Sequence, residues 1–136
     1  MDNGNKEIIE RIAEKYGLEL VLLFGSRVSG RIHKESDFDV AYLSRRDLDL
    51  EEESNLIVDM APLFKNENID LVNLKKAPPL LFYGIFNDCK TIFAKDPLIF
   101  YYLRAYAFKK YIETKPLYDE KLRKFKIEVE KLRQGV

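Results

Sequence analysis

Two short apolar runs stand on either side of a polar loop, and that arrangement limits the fold more than any other feature of the chain. "LELVLLF", Leu18–Phe24, ends on the pair Gly25-Ser26. Ten residues then lead to Asp37-Phe38-Asp39, which opens "DFDVAYL", Asp37–Leu43. Both runs are short, bounded by turn residues and rich in branched or aromatic side chains, as buried strands are. No helical pattern lies between them, so the two strands are expected to pair as neighbours in a mixed sheet.

The remaining elements follow from periodicity. After Asn5, the residues Ile8, Ile9, Ile12, Ala13 and Tyr16 share one helical face, and Gly17 supplies a stop. Asp47 to Lys65 carries Leu48, Leu56, Ile57, Met60, Ala61, Leu63 and Phe64 behind an acidic start, which suits the positive end of a helix dipole. "NIDLVNL", Asn68–Leu74, predicts a third strand. Pro78-Pro79 opens a helix to about Asp88, and "TIFAKD", Thr91–Asp96, predicts a fourth strand. From Pro97 the chain is expected to be mostly helical and broken near Pro116, a break read as a bend within one domain. The fold class is therefore α/β (α+β): a mixed sheet of about four strands flanked by helices. We expect one domain over 1–136, with a core of about 5–96 and a helical tail over 97–136.

Composition narrows the function. The 136 residues carry 23 basic and 23 acidic side chains, and this balance argues against a generic nucleic-acid coat. The one cysteine, Cys89, excludes an internal disulfide and reads as a small core residue. No apolar run is long enough to span a bilayer, and the first residues lack the basic start and apolar centre of a signal peptide. A cytoplasmic protein with no membrane attachment is expected.

The carboxylates carry the chemistry. Side chains alternate across a strand, so Asp37 and Asp39 are expected on one face with Phe38 and Val40 on the other. Two like charges this close repel, and a cation between them relieves the cost. Magnesium prefers such hard oxygen donors together with water and substrate phosphate. Asp70 sits among apolar residues of the third strand. If that strand lies beside the second, Asp70 completes the cluster. Gly25-Ser26 leaves backbone N–H groups open to an anion and adds a hydroxyl donor, and Arg27 adds positive charge. The Gly-Lys-Ser/Thr of a Walker loop and the three glycines of a dinucleotide fingerprint are both missing.

"GSRVSGRIHKESDFD", followed later by "NIDLVNL", resembles the signature of the nucleotidyltransferase superfamily that includes DNA polymerase beta-like enzymes. Within it, the short chain resembles the minimal nucleotidyltransferases (MNT), in particular the antitoxins of HEPN/MNT toxin–antitoxin pairs. The resemblance covers about the first hundred residues. It implies a nucleotidyltransferase fold and an enzyme that uses ATP to place AMP on a tyrosine hydroxyl of its HEPN ribonuclease toxin, releasing diphosphate. By the same resemblance, Gly25 and Ser26 hold the outer phosphates, with Arg27 nearby. Asp37, Asp39 and Asp70 are the catalytic and metal-binding residues for two magnesium ions, and Asp70 also helps the attacking hydroxyl lose its proton.

Two alternatives stay open. One is an antitoxin that covers its toxin without catalysis, motivated by the stripe Leu122, Phe125, Val129 and Leu132. The other is transfer to a small molecule such as an aminoglycoside, for which the chain has little room. We expect that stripe to cover the chain's own sheet rather than dock a partner helix, and the cluster Tyr101, Tyr102 and Tyr106 to be core or interface rather than to stack on an adenine.

Overall fold

The computed structural model describes residues 3–25, 38–65 and 68–135. Helix α1, Asn3–Tyr16, buries Ile9, Ile12, Ala13 and Tyr16, the face its periodicity marks out. Gly17, at φ +69°, turns the chain into β1, Leu18–Phe24. Strand β2 spans Phe38–Ser44, and helix α2 spans Leu50–Phe64. Asp49 caps α2: its carboxylate accepts from the Glu52 N–H at 2.8 Å, and the Glu52 side chain returns the bond to the Asp49 N–H. This reciprocal box satisfies two donors that a helix start otherwise leaves open. Strand β3, Ile69–Asn73, runs into a single 3₁₀ turn, Leu74–Lys76. Helix α3 spans Pro79–Asn87, β4 spans Cys89–Ala94, and α4 spans Pro97–Gln134.

The sheet has the order β3-β2-β1-β4. β1 runs antiparallel to both β2 and β4, while β2 and β3 run parallel. The mixed sheet expected from the sequence is present, and its alternation divides the core in two. Val21, Val40, Tyr42 and Ile69 pack under α1 and α2. Leu20, Leu22, Ala41 and Leu74 pack with Phe82, Ile85, Phe86 and Ala107 from α3 and α4. Asp59 ties α1 to α2, accepting from the Tyr16 hydroxyl at 2.6 Å and from Lys15 at 3.0 Å.

Three expectations need correction. β4 begins at Cys89 and ends at Ala94, earlier than Thr91–Asp96, because Cys89 and Lys90 pair with Phe24 and Leu23 of β1. Cross-strand pairing recruits residues whose local propensity is weak. The tail is one helix through Pro116. Proline removes the N–H that would bond the carbonyl of Ile112. Ile112 is 68% exposed, so water is at hand to take that bond. Finally, Leu122, Phe125 and Leu132 do not cover the sheet, being 51%, 65% and 70% exposed. Ala107 is the buried residue of α4. No helix among the described residues is long and apolar enough to cross a membrane.

Candidate active site

β1 and β2 bring the glycine turn and Asp39 together. Phe24, the last residue of β1, is the register partner of Asp39, and the chain then turns at Gly25 with φ +83°. L-residues rarely adopt that backbone, and glycine has no Cβ to resist it. The missing Cβ matters for a second reason. A Cβ on Gly25 would stand 2.1 Å from Oδ2 of Asp39 and 2.9 Å from its Cγ. The Asp39 carboxylate therefore lies directly against the Gly25 backbone, in space that any larger residue would fill.

β3 supplies the second acid. Asp39 and Asp70 are register partners across the parallel pair. Neighbouring strands lie about 5 Å apart, and partners in register point to the same face. Phe38 and Val40, with Ile69 and Leu71, pack on the α1/α2 side, while Ala41 and Val72 pack on the α3/α4 side. Strand alternation therefore places both carboxylates on the α3/α4 side. Asp39 is half-buried and Asp70 is exposed. Two features secure this end of the sheet. The Phe38 N–H donates to the Asn68 carbonyl at 3.0 Å. On the opposite face, the Phe38 ring stacks on Phe64 at 4.8 Å.

The row continues to β4, because Phe24 also pairs with Cys89. Burial pushes the Cys89 thiol up; Arg104 of α4 partly offsets this and Asp88 adds to it. A thiol held protonated is a poor nucleophile, which agrees with reading Cys89 as a packing residue. Arg104 stands out in the structure more than in the sequence. Among the tail's many basic residues nothing marks it, yet folding brings it within electrostatic reach of this row.

Of the residues the sequence singles out, the structure brings together Gly25, Asp39 and Asp70. Ser26, Arg27 and Asp37 lie outside the described residues. Tyr101, Tyr102 and Tyr106 are exposed at 64%, 76% and 46%, on a helix that does not bury them. A separate groove of about 550 Å³, lined by Leu43, Leu74, Phe82, Tyr106 and Lys110, opens where β2 and β3 finish. It therefore lies at the other end of these strands from the carboxylates.

Residues 6–98 match the family model described as Polymerase beta, Nucleotidyltransferase. The chain belongs to this nucleotidyltransferase family. The match includes all four strands and Gly25, Asp39 and Asp70, and it stops as α4 begins.

Solved structures share the fold. A chain of a toxin–antitoxin complex with AMP-PNP superposes with a TM-score of 0.68 at 23% identity, over 87% of this chain and 98% of that one. A chain of the tri-AMPylated Shewanella oneidensis HEPN toxin in complex with MNT antitoxin gives 0.63 at 21% identity, over 90% and 99%. A chain of the toxin–antitoxin MntA-HepT gives 0.63 at 20%, over 89% and 99%. No curated protein matches.

The donor set of this nucleotidyltransferase fits a hard divalent cation. Asp39 and Asp70 offer carboxylate oxygens from adjacent strands, and the absent Cβ of Gly25 leaves room beside one of them. The described residues contain no group of three or more His, Cys, Asp or Glu side chains able to hold a metal, so a third protein ligand would have to come from elsewhere, as the sequence suggests for Asp37.

Proposed function

We propose that this chain is the antitoxin of a HEPN/MNT pair and transfers AMP from ATP to a tyrosine hydroxyl of its partner HEPN toxin, silencing it. One observation carries the reading: Asp39 and Asp70 stand in register on one face, with the Asp39 carboxylate pressed against the positive-φ Gly25. The likeness to toxin–antitoxin structures, one with AMP-PNP and one with an AMPylated toxin, supports the choice of nucleotide and partner.

In the proposed reaction the tyrosine oxygen bonds to the α-phosphorus of ATP. The bond from that phosphorus to the oxygen bridging to the β-phosphate breaks, and diphosphate leaves. Asp37, Asp39 and Asp70 would hold two magnesium ions. When bound, the ions would offset the charge of the carboxylates and phosphates and steady the attacking and leaving oxygens. Gly25 and Ser26 would cradle the outer phosphates, with Arg27 adding positive charge. Asp70, exposed at the edge of the row, would accept the proton of the incoming hydroxyl. The rigid sheet would hold these groups in place, and positioning supplies much of the acceleration in phosphoryl chemistry.

A second reading draws on the exposed apolar residues of α4: the chain would neutralise its partner by covering it, with the carboxylates idle. One experiment separates the two. The protein is incubated with ATP, magnesium and the HEPN protein encoded beside it, and the HEPN chain is weighed by mass spectrometry. Gain of one or more AMP units, lost in Asp39→Asn and in Asp70→Asn, is the expected result. If both variants bind and neutralise the toxin as fully as the parent, catalysis is not how it protects.

A further inference from the structure

The distal half of α4 has no partner among the described residues. Its proximal half is held: Tyr83 of α3 stacks on Tyr111 at 3.9 Å and meets Phe108 edge-on at 5.4 Å. α3 begins only at Pro79, which lines the same groove as Thr114, and α4 runs on to Gln134. Beyond that point Tyr118, Leu122, Phe125, Val129 and Leu132 recur at alternating intervals of four and three residues. This is the 3.5-residue repeat of a coiled-coil seam, separated from the line of Phe108 and Tyr111 by Lys115 at the intervening position. The match to the family ends at residue 98, so this seam lies beyond it.

We infer that this seam joins two copies of the chain as an antiparallel coiled coil. The flanking charges select both occupant and direction. With Leu122 and Val129 as a, and Tyr118, Phe125 and Leu132 as d, Asp119 and Lys126 fall at e and Lys121 and Glu128 at g. An antiparallel pair centred between Leu122 and Phe125 packs Leu122 on the partner's Phe125 and Tyr118 on the partner's Val129. Asp119 then faces the partner's Lys126, and Lys121 faces the partner's Glu128. Symmetry repeats each pair, and none is a like-charge contact. A parallel pair instead sets Lys121 against the partner's Lys126 on both sides, so that its attraction between Glu128 and the partner's Arg133 is offset by repulsion. Charges at e and g set partner and orientation in coiled coils, so self-complementarity in one direction points to a second copy.

Asp119 already bonds Lys115 at 3.0 Å, and Glu128 lies 4.0 Å from Lys131, both on the exposed surface of the same helix. Such pairs are weak and rearrange easily, so they leave both acids able to engage across the seam. The inference is independent of the catalytic reading, because none of these residues belongs to the carboxylate site.

Sedimentation of the full chain over a wide concentration range tests it. The parent should pass from a 16.0 kDa monomer to a dimer. The double variant Leu122→Glu/Phe125→Glu should stay monomeric with unchanged circular dichroism, because both side chains are exposed in the single chain, and its Tm should match that of the parent at concentrations where the parent is monomeric. Lys121→Glu should weaken dimerisation roughly tenfold, having turned two attractive contacts repulsive, and adding Glu128→Lys should restore it. A parent that remains monomeric throughout overturns the inference. So does a Lys121→Glu variant that dimerises more tightly, since a parallel pair predicts that. If Leu122→Glu/Phe125→Glu abolishes binding to the HEPN protein while the parent never self-associates, the seam serves that partner instead, and the inference fails.

Discussion

Replacing Gly25 with alanine tests how the glycine turn and the carboxylate depend on each other. Two costs arise. The backbone at φ +83° is unfavourable for an L-residue by about 1 kcal/mol. The new Cβ would lie 2.1 Å from Oδ2, 2.9 Å from Cγ and 3.2 Å from Cβ of Asp39. A contact of 2.1 Å cannot persist, so something must move. The carboxylate is the end of a short side chain and swings more cheaply than the sheet deforms. The steric part of the cost should therefore be about 1 kcal/mol, within the range seen when extra atoms are forced into packed sites.

The total, roughly 2 kcal/mol, corresponds to a fall in Tm of roughly 6–10 °C for a chain of this size. Activity should suffer more, because a carboxylate displaced by an ångström or so costs roughly a hundredfold. The assay is a double-mutant cycle of Gly25→Ala and Asp39→Ala, read by thermal or denaturant unfolding, with AMP transfer measured alongside. Asp39→Ala removes the two closest atoms and leaves the 3.2 Å contact. In that background the stability cost of Gly25→Ala should fall to about 1 kcal/mol, giving a coupling of about 1 kcal/mol. Equal costs in both backgrounds would refute the contact argument, and full AMP transfer by Gly25→Ala would refute the catalytic role of this geometry.

Three further predictions concern stability. The Tyr42 hydroxyl is buried and makes no hydrogen bond of ordinary geometry among the described residues; burial first, then the charge of Glu53 and a weaker contact with its carboxylate, push its pKa upward. Tyr42→Phe removes an unsatisfied group and should leave stability unchanged or raise it by up to about 1 kcal/mol in urea unfolding; a clear loss would mean the hydroxyl is satisfied. Asp59 is held below the usual carboxylate range by the Tyr16 hydroxyl first and then by Lys15, against an opposing effect of burial. A depressed folded-state pKa adds stability above the ordinary aspartate value of about 4 that is lost as pH falls through the folded value. The parent should thus exceed Asp59→Asn by about 1 kcal/mol at neutral pH, with the gap closing in acid, as a Tm series against pH would show. Asp49→Ala breaks the capping box of α2 and should cost about 1 kcal/mol, whereas Asp49→Ser should recover most of it.

Local elements were largely readable because their signals are local. The α1 face, the glycine stop at Gly17, both central strands and the proline-led starts of α3 and α4 depend on side chains a few residues apart. The limits of β4 were not readable, because its ends are fixed by pairing with β1. Nor was the course of the tail. Pro116 is a helix breaker by propensity, but its lost bond falls at an exposed turn where water replaces it. The apolar stripe beyond it has the same spacing whether it is buried or bare, so periodicity had no means of telling which.

Sequence alone fixed the identities and local spacing of the acids: alternation along β2 and β3 puts Asp39 and Asp70 each on a definite face of its own strand, and a glycine closes β1. Only the tertiary structure decided that those faces coincide. The parallel register of β3 on β2 sets Asp70 beside Asp39, and the antiparallel return of β1 presses Gly25 against the same carboxylate. The reason lies in the backbone. A side chain's face follows from a repeat of two residues along one strand, whereas its neighbour across the sheet is chosen by hydrogen bonds between segments far apart in the chain.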